Sequence, residues 1–346
     1  QAVTVNANPS ANISGTSTAC GSVTLTASGG STYLWNGGSA TTDAINTFST
    51  SGTYQVTVTG ANGCTATTSQ AVTVNANPSA NISGTSTACG SVTLTASGGS
   101  TYLWNGGSAT TDAINTFTTS GTYQVTVTGA NGCTATTSQA VTVNTAAAVS
   151  ISGGTSTVCS GTAVELTASG STTYSWSNGV LLAKTTVVPV SNTTYTVTAT
   201  DANGCTSTAS RSISVNANPV ASSSVTTAIL CYNGTAVVTV SASGGQSPYS
   251  GTGAKTTGAG IYSYTVTDAN GCTSTTTGSV AQPGPISIAG SSTAAGCNLN
   301  SPSASVQVTG GTAPYTTSSS FDNAGNCTFT VTDANVCTAT SVINKP

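Results

Sequence analysis

The chain has 346 residues, of which only 4 are Lys or Arg and 7 are Asp or Glu, with no His, no Met and a formal net charge of −3. So few cations exclude an electrostatic nucleic-acid footprint, and no run of 18 apolar residues exists that could cross a membrane as a helix. The polar residues are Thr and Ser interleaved with Val, Leu and Tyr, which describes folded β-structure under a neutral hydroxylated surface, not disorder.

Residues 1–69 and 70–138 are identical except that Ser49 becomes Thr118. A period of that length is too long for a solenoid coil and suits one small β-sandwich. Residues 1–6 match residues 70–75, so the chain opens on the sequence of a repeat's last strand, and a segment of a longer array is expected. Repeat 1 covers residues 7–75. A short strand is predicted over Ser10 to Ser14, followed by one with Val23, Leu25 and Ala27 inward and Thr24, Thr26 and Ser28 outward. Tyr33-Leu34-Trp35 forms a third and Ala44 to Phe48 a fourth. From Thr53 to Thr59 apolar and polar residues alternate strictly, so Tyr54, Val56 and Val58 face inward, and Asn62-Gly63 predicts a two-residue hairpin turn. Cys64 to Val74 runs back as the last strand.

Repeat 2 (76–144) restates this plan, and repeat 3 (145–216) keeps it with drift, holding Trp176, Tyr195 and Cys205 at the corresponding places. Repeats 4 (217–281) and 5 (282–346) lack the Trp. Short strands separated by regularly recurring turn signals make the expected fold class all-β, a tandem array of five immunoglobulin-like sandwiches. Junctions such as Asn75-Ala76-Asn77-Pro78 are short and stiffened by proline.

Eleven cysteines without CxxC pairs or histidines point to disulfides and an extracytoplasmic location. One pair per repeat gives Cys20–Cys64, Cys89–Cys133, Cys159–Cys205, Cys231–Cys272 and Cys297–Cys337. The alternative is a set of cross-links between neighbours, such as Cys20 to Cys133. In a standard immunoglobulin order Cys20 and the turn before Cys64 lie at opposite ends of the sandwich, but neighbour links leave Cys64 without a partner inside the chain. Cys327 stands where repeat 1 has Tyr54, and is expected as a buried thiol or as an alternative partner of Cys297.

Cysteine, then G-x-V-x-L-T-A-S-G, Y-x-W-x-x-G and G-T-Y-x-V-T-V-T-x-A-N-G-C is a pattern that resembles the PKD-like and immunoglobulin-like repeats of Bacteroidota surface proteins. Cys231-Tyr232-Asn233-Gly234, Gly244-Gly245-x-x-Pro248-Tyr249 and Asp268-Ala269-Asn270-Gly271-Cys272 are similar to the repeats of gliding-motility adhesins. The resemblance implies a cell-surface or extracellular protein exported by type IX secretion.

Catalysis is not expected. Without His, acid–base work would fall to Asp43, Asp112, Glu165, Asp201, Asp268, Asp322 and Asp333, and the D-A-N acids read as turn formers. These acids are too scattered for a metal cage, and no cofactor is expected. Glu165 and Lys184 share a repeat, but Glu165 falls on an outward row and reads as solvated. Trp35, Trp104 and Trp176 read as core residues packing near the cysteine pairs, the other possibility being sugar platforms. Thr57 and Thr59 read as the outer face of a sheet. The expected role is a structural extracellular array, a stalk, adhesin shaft or filament, with a carbohydrate- or surface-binding adhesin module as the alternative. Expected partners are further copies or a longer array, with glycans possible and neither nucleic acid nor membrane involved. A nearly charge-free surface offers little repulsion between chains, so self-association into fibres is expected.

Overall fold

A computed structural model describes residues 1–292, 304–322 and 326–343. These residues build an all-β chain of tandem immunoglobulin-like sandwiches. The chain divides into two compact units. The first holds residues 1–149, 170–173 and 199–207; the second holds 150–169, 174–198 and 208–346.

In repeat 1, β1 is Asn12–Ser14, β2 Thr18–Cys20, β3 Val23–Ser28, β4 Thr32–Trp35, β5 Ile45–Phe48, β6 Gly52–Thr59 and β7 Thr65–Asn75. One sheet has the order β1-β3-β5 and the other β2-β7-β6-β4. The alternating pattern sends Val23, Leu25 and Ala27 of β3 and Trp35, Val56, Val58 and Val72 of the facing sheet into one core around Phe48. Burying each of the Val, Leu and Phe side chains contributes on the order of 1.5–3 kcal/mol. Trp35 meets Phe48 edge to face at 5.5 Å, and its Nε1 donates to the Asp43 carbonyl at 2.9 Å. Repeat 2 reproduces these contacts around Val92, Leu94, Trp104 and Phe117.

Three details differ from what the sequence predicts. Tyr54 is half-buried, because it sits at the opening end of β6, stacks on Phe48 at 4.0 Å and sends its hydroxyl out to Thr50. The turn after β6 is longer than two residues: the Gly63 N–H donates to the Gly60 carbonyl, the Gly60 N–H donates to the Cys64 carbonyl, and Gly63 alone is left-handed at φ +79°. β2 is an additional strand, since three residues are too few for alternation to show in the sequence.

In the second unit, repeat 3 carries a sheet of strands Ser150–Ser152, Val164–Ser169 and Lys184–Val187. Repeat 4 forms sheets of three (Pro219–Thr227, Ala236–Gly244, Gly253–Thr257) and two strands (Gly260–Thr267, Thr273–Val280). Its core of Ile229, Val238, Val240, Tyr262 and Val266 closes without a Trp. In repeat 5 Ser287–Ser292 pairs with Ala304–Thr309, and Thr316–Phe321, Cys327–Thr332 and Thr338–Ile343 form a three-stranded sheet.

Candidate functional site at the repeat junctions

The cysteines correct the within-repeat scheme. Cys20 bonds Cys133, Cys89 bonds Cys205, Cys159 bonds Cys272 and Cys231 bonds Cys337, each with a Cα–Cα distance of 5.6 Å. Each bridge joins one repeat to the next, and Cys64 is a free thiol. Cys337 therefore does not pair with Cys297, which lies outside the described residues. Cys327 is buried and disulfide-bonded, which removes the free-thiol alternative.

Strand order explains the pairing. β2 runs parallel to the far end of β7, matching Thr18 with Thr73, Ala19 with Val74 and Cys20 with Asn75. This carries Cys20 to the exit end of its own sandwich, away from Cys64, which follows the turn at the entry end. The Gly21 N–H then donates to the Asn75 carbonyl at 2.9 Å. The next repeat's turn lies against the same carbonyl, with Cys133 Sγ 3.9 Å from it. Asn131 holds that turn to the linker: its Oδ1 accepts from the Cys133 N–H at 3.1 Å and its Nδ2 donates to the Ala76 carbonyl at 2.9 Å.

Thr87–Cys89 repeats the arrangement against Thr142–Asn144, and Thr157–Cys159 against Ser214–Asn216. Among the described residues repeat 4 has no such parallel strand and instead presents Cys231 in a turn, where the Gly234 N–H donates to the Cys231 carbonyl and Asn233 is left-handed at φ +61°. Leu230 there accepts from Asn335 Nδ2 at 3.2 Å, and its carbonyl lies 3.4 Å from Cys337 Sγ.

Aspartate replaces asparagine at the later turns. Asp201 Oδ1 accepts from the N–H groups of Asn203 and Cys205, both at 2.9 Å. Asp268 accepts from Gln246 at 3.0 Å, Asn270 at 2.9 Å and Cys272 at 2.8 Å. The Gln246 N–H, helped by those of Cys272 and Asn270, holds the Asp268 carboxyl below its ordinary value against the opposing pull of burial. For Asp333 burial pushes the carboxyl up, and the N–H groups of Cys337, Thr312 and Asn335 together outweigh it and keep it low. These carboxylates are anchors for the turns that carry the acceptor cysteines.

The remaining candidates fall away from the junctions. Trp35, Trp104 and Trp176 are 2–3% exposed and hydrogen-bonded inside their cores. Glu165 and Lys184 form an exposed cross-strand ion pair at 2.9 Å. Asp43 and Asp112 are exposed, Asp322 accepts from the N–H and Nδ2 of Asn326, and Thr57 and Thr59 lie on the outer face of β6. A cleft of about 460 Å³ beside Cys231–Cys337 is lined by Tyr232, Ile286, Asp333 and Val336. Its one carboxylate is already satisfied by three backbone N–H groups.

No protein-family model matches the chain. No curated protein matches it. Among solved structures, the N-terminal eight Ig domains of the Down syndrome cell adhesion molecule are 12% identical, with 96% of this chain and 60% of that one covered and a TM-score of 0.32. A Ca2+-stabilized adhesin of an Antarctic bacterium that binds ice is 19% identical over 79% of this chain and 99% of its own, at 0.23. A three-Ig fragment of titin is 14% identical over 60% of this chain and 98% of its own, at 0.31. The chain spans about three fifths of the length of the first of these.

Proposed function

We propose that this chain is a non-catalytic, extracellular structural array, serving as a stalk, adhesin shaft or surface filament whose junctions are covalently reinforced against extension. The observation that supports this reading most is the interleaving of the four junction bridges. Each closes a loop of 106 to 116 residues, and each loop overlaps the next. A loop of that size stabilises the folded state by about 4–5 kcal/mol in the chain-entropy picture.

The mechanical consequence is larger. From Cys20 a taut covalent path crosses to Cys133, follows the chain to Cys159, crosses to Cys272, returns along the chain to Cys231 and crosses to Cys337. At about 3.5 Å per extended residue this path is roughly 240 Å long. Without the bridges the whole stretch between Cys20 and Cys337 could extend to roughly 1,100 Å. A chain wired in this way can lose every sandwich and still stop lengthening early. A structural disulfide set of this density also suits an oxidising environment outside the cytoplasm.

The Bacteroidota surface-repeat and gliding-adhesin resemblance, with its implied type IX export, fits such a shaft, as does extension of the array by further repeats. Single-molecule pulling between handles outside Cys20 and Cys337 tests the reading. The fully unfolded span between the two cysteines should reach about 240 Å under oxidising conditions, and roughly four to five times that length after reduction. Equal contour lengths in the two conditions would refute it.

A further inference from the structure

Cys64 is the one acceptor turn among the described residues whose cysteine has no bond partner. Its polar contacts match those of Cys133. Cys64 Sγ lies 4.0 Å from the Asn6 carbonyl, as Cys133 Sγ lies 3.9 Å from that of Asn75. The Cys64 N–H donates to Asn62 Oδ1 at 3.1 Å and Asn62 Nδ2 donates to the Ala7 carbonyl at 2.9 Å, both matching the distances around Asn131. At the four later turns the corresponding cysteine is bonded to the repeat before it.

A second observation comes from residues 1–6. Their sequence is that of residues 70–75, whose Val72 is 3% exposed inside a core. Here the corresponding Val3 is 85% exposed and Val5 is 88% exposed. The register that pairs Thr73, Val74 and Asn75 with Thr18, Ala19 and Cys20 would set a strand of the same kind beside Thr4, Val5 and Asn6. Its cysteine would then fall next to Asn6, within bonding reach of Cys64.

We propose that Cys64, Asn62 and residues 1–6 form a covalent docking site for one further repeat of this class on the N-terminal side of repeat 1, through a cysteine that ends its β2-type strand. The site depends on junction geometry alone and holds whether the array resists force or binds a ligand. A second copy of this chain is a poor occupant, because Cys20, Cys89, Cys159 and Cys231 are all engaged. The bond forms as two thiols lose two protons and two electrons to a small disulfide oxidant, which leaves as two thiols.

The test adds a copy of residues 7–69 before Gln1, so that residues 1–6 close the added sandwich as residues 70–75 close repeat 1. The added copy carries Cys64→Ser, and both proteins are equilibrated with reduced and oxidised glutathione. After denaturation and alkylation, the original chain should show the Cys64 peptide fully alkylated. In the extended chain that alkylation should fall to zero, with a new peptide joining Cys64 to the added copy's counterpart of Cys20. Cys20→Ser in the added copy, which leaves its core intact, should restore full alkylation. Persistence of the Cys64 thiol in the extended chain would overturn the site. So would dimers of the original chain linked through Cys64.

Discussion

Repeats 1 and 2 and repeats 4 and 5 reach the same junction by different local means. In the first pair the donor cysteine ends a parallel strand, the acceptor turn is held by a neutral asparagine, and a Trp–Phe pair fills the core. In repeat 4 the donor cysteine sits in a turn, the core holds Tyr262 and Tyr264 in place of a Trp, and the acceptor turns of repeats 4 and 5 are held by carboxylates. Yet each of the four bridges joins the donor cysteine of one repeat to the acceptor turn of the next. What is kept is this connectivity, while strand count and core composition vary around it.

The largest expected break in the comparison is Trp35→Ala. It removes the biggest core side chain and its hydrogen bond to the Asp43 carbonyl, and should cost repeat 1 about 3–5 kcal/mol. Native-state hydrogen exchange at Val56 and Val58 would register the loss, with repeat 4, which has no Trp, unchanged. Comparable protection in mutant and parent would mean that the Trp–Phe pair does not organise this core.

Acid should separate the two kinds of turn. Asp268 and Asp333 are held below their ordinary value in the folded state. A depressed folded value contributes stability above the unfolded carboxyl range, and that stability is lost as pH falls through the folded value. Below about pH 4, the Cys272 and Cys337 amides should therefore lose protection relative to their intrinsic exchange, while those of Cys64 and Cys133, bonded to Asn62 and Asn131, should not. Asp268→Asn should abolish the pH dependence at Cys272. An equal acid response at all four amides would show that the carboxylates do not anchor the later turns.

Val336 gives the smallest and most local effect. It occupies the position of Gly63, at φ +66°, where a β-branched residue is strained. Val336→Gly should relieve about 1 kcal/mol and raise the unfolding midpoint of repeat 5. A lowered midpoint would place the value of Val336 in packing instead.

Much of the fold was legible because β3 and β6 alternate cleanly: Val23, Leu25, Val56 and Val58 face inward as their spacing dictates. The tryptophans were legible as core because an immunoglobulin-like sandwich buries an aromatic residue on its third strand. The pairing of the cysteines was not, because proximity in sequence favours Cys20 with Cys64, while proximity in space is decided by β2, a three-residue strand without a periodic signature. Its parallel alignment with β7 moves Cys20 to the exit end. The order of an immunoglobulin sandwich did signal the difficulty, and the free Cys64 is its consequence. Asn62 was misread for a related reason: the residue type that favours a left-handed turn here spends its side chain on the linker and the Cys64 N–H, leaving Gly63 to take the positive φ.

The most direct test of the account is non-reducing peptide mapping of the oxidised chain, with alkylation at low pH to block exchange. Junction reinforcement predicts peptides joining Cys20 to Cys133, Cys89 to Cys205, Cys159 to Cys272 and Cys231 to Cys337, with Cys64 alkylated. Peptides joining Cys20 to Cys64 and Cys89 to Cys133 would confine each bridge to its own repeat and contradict it.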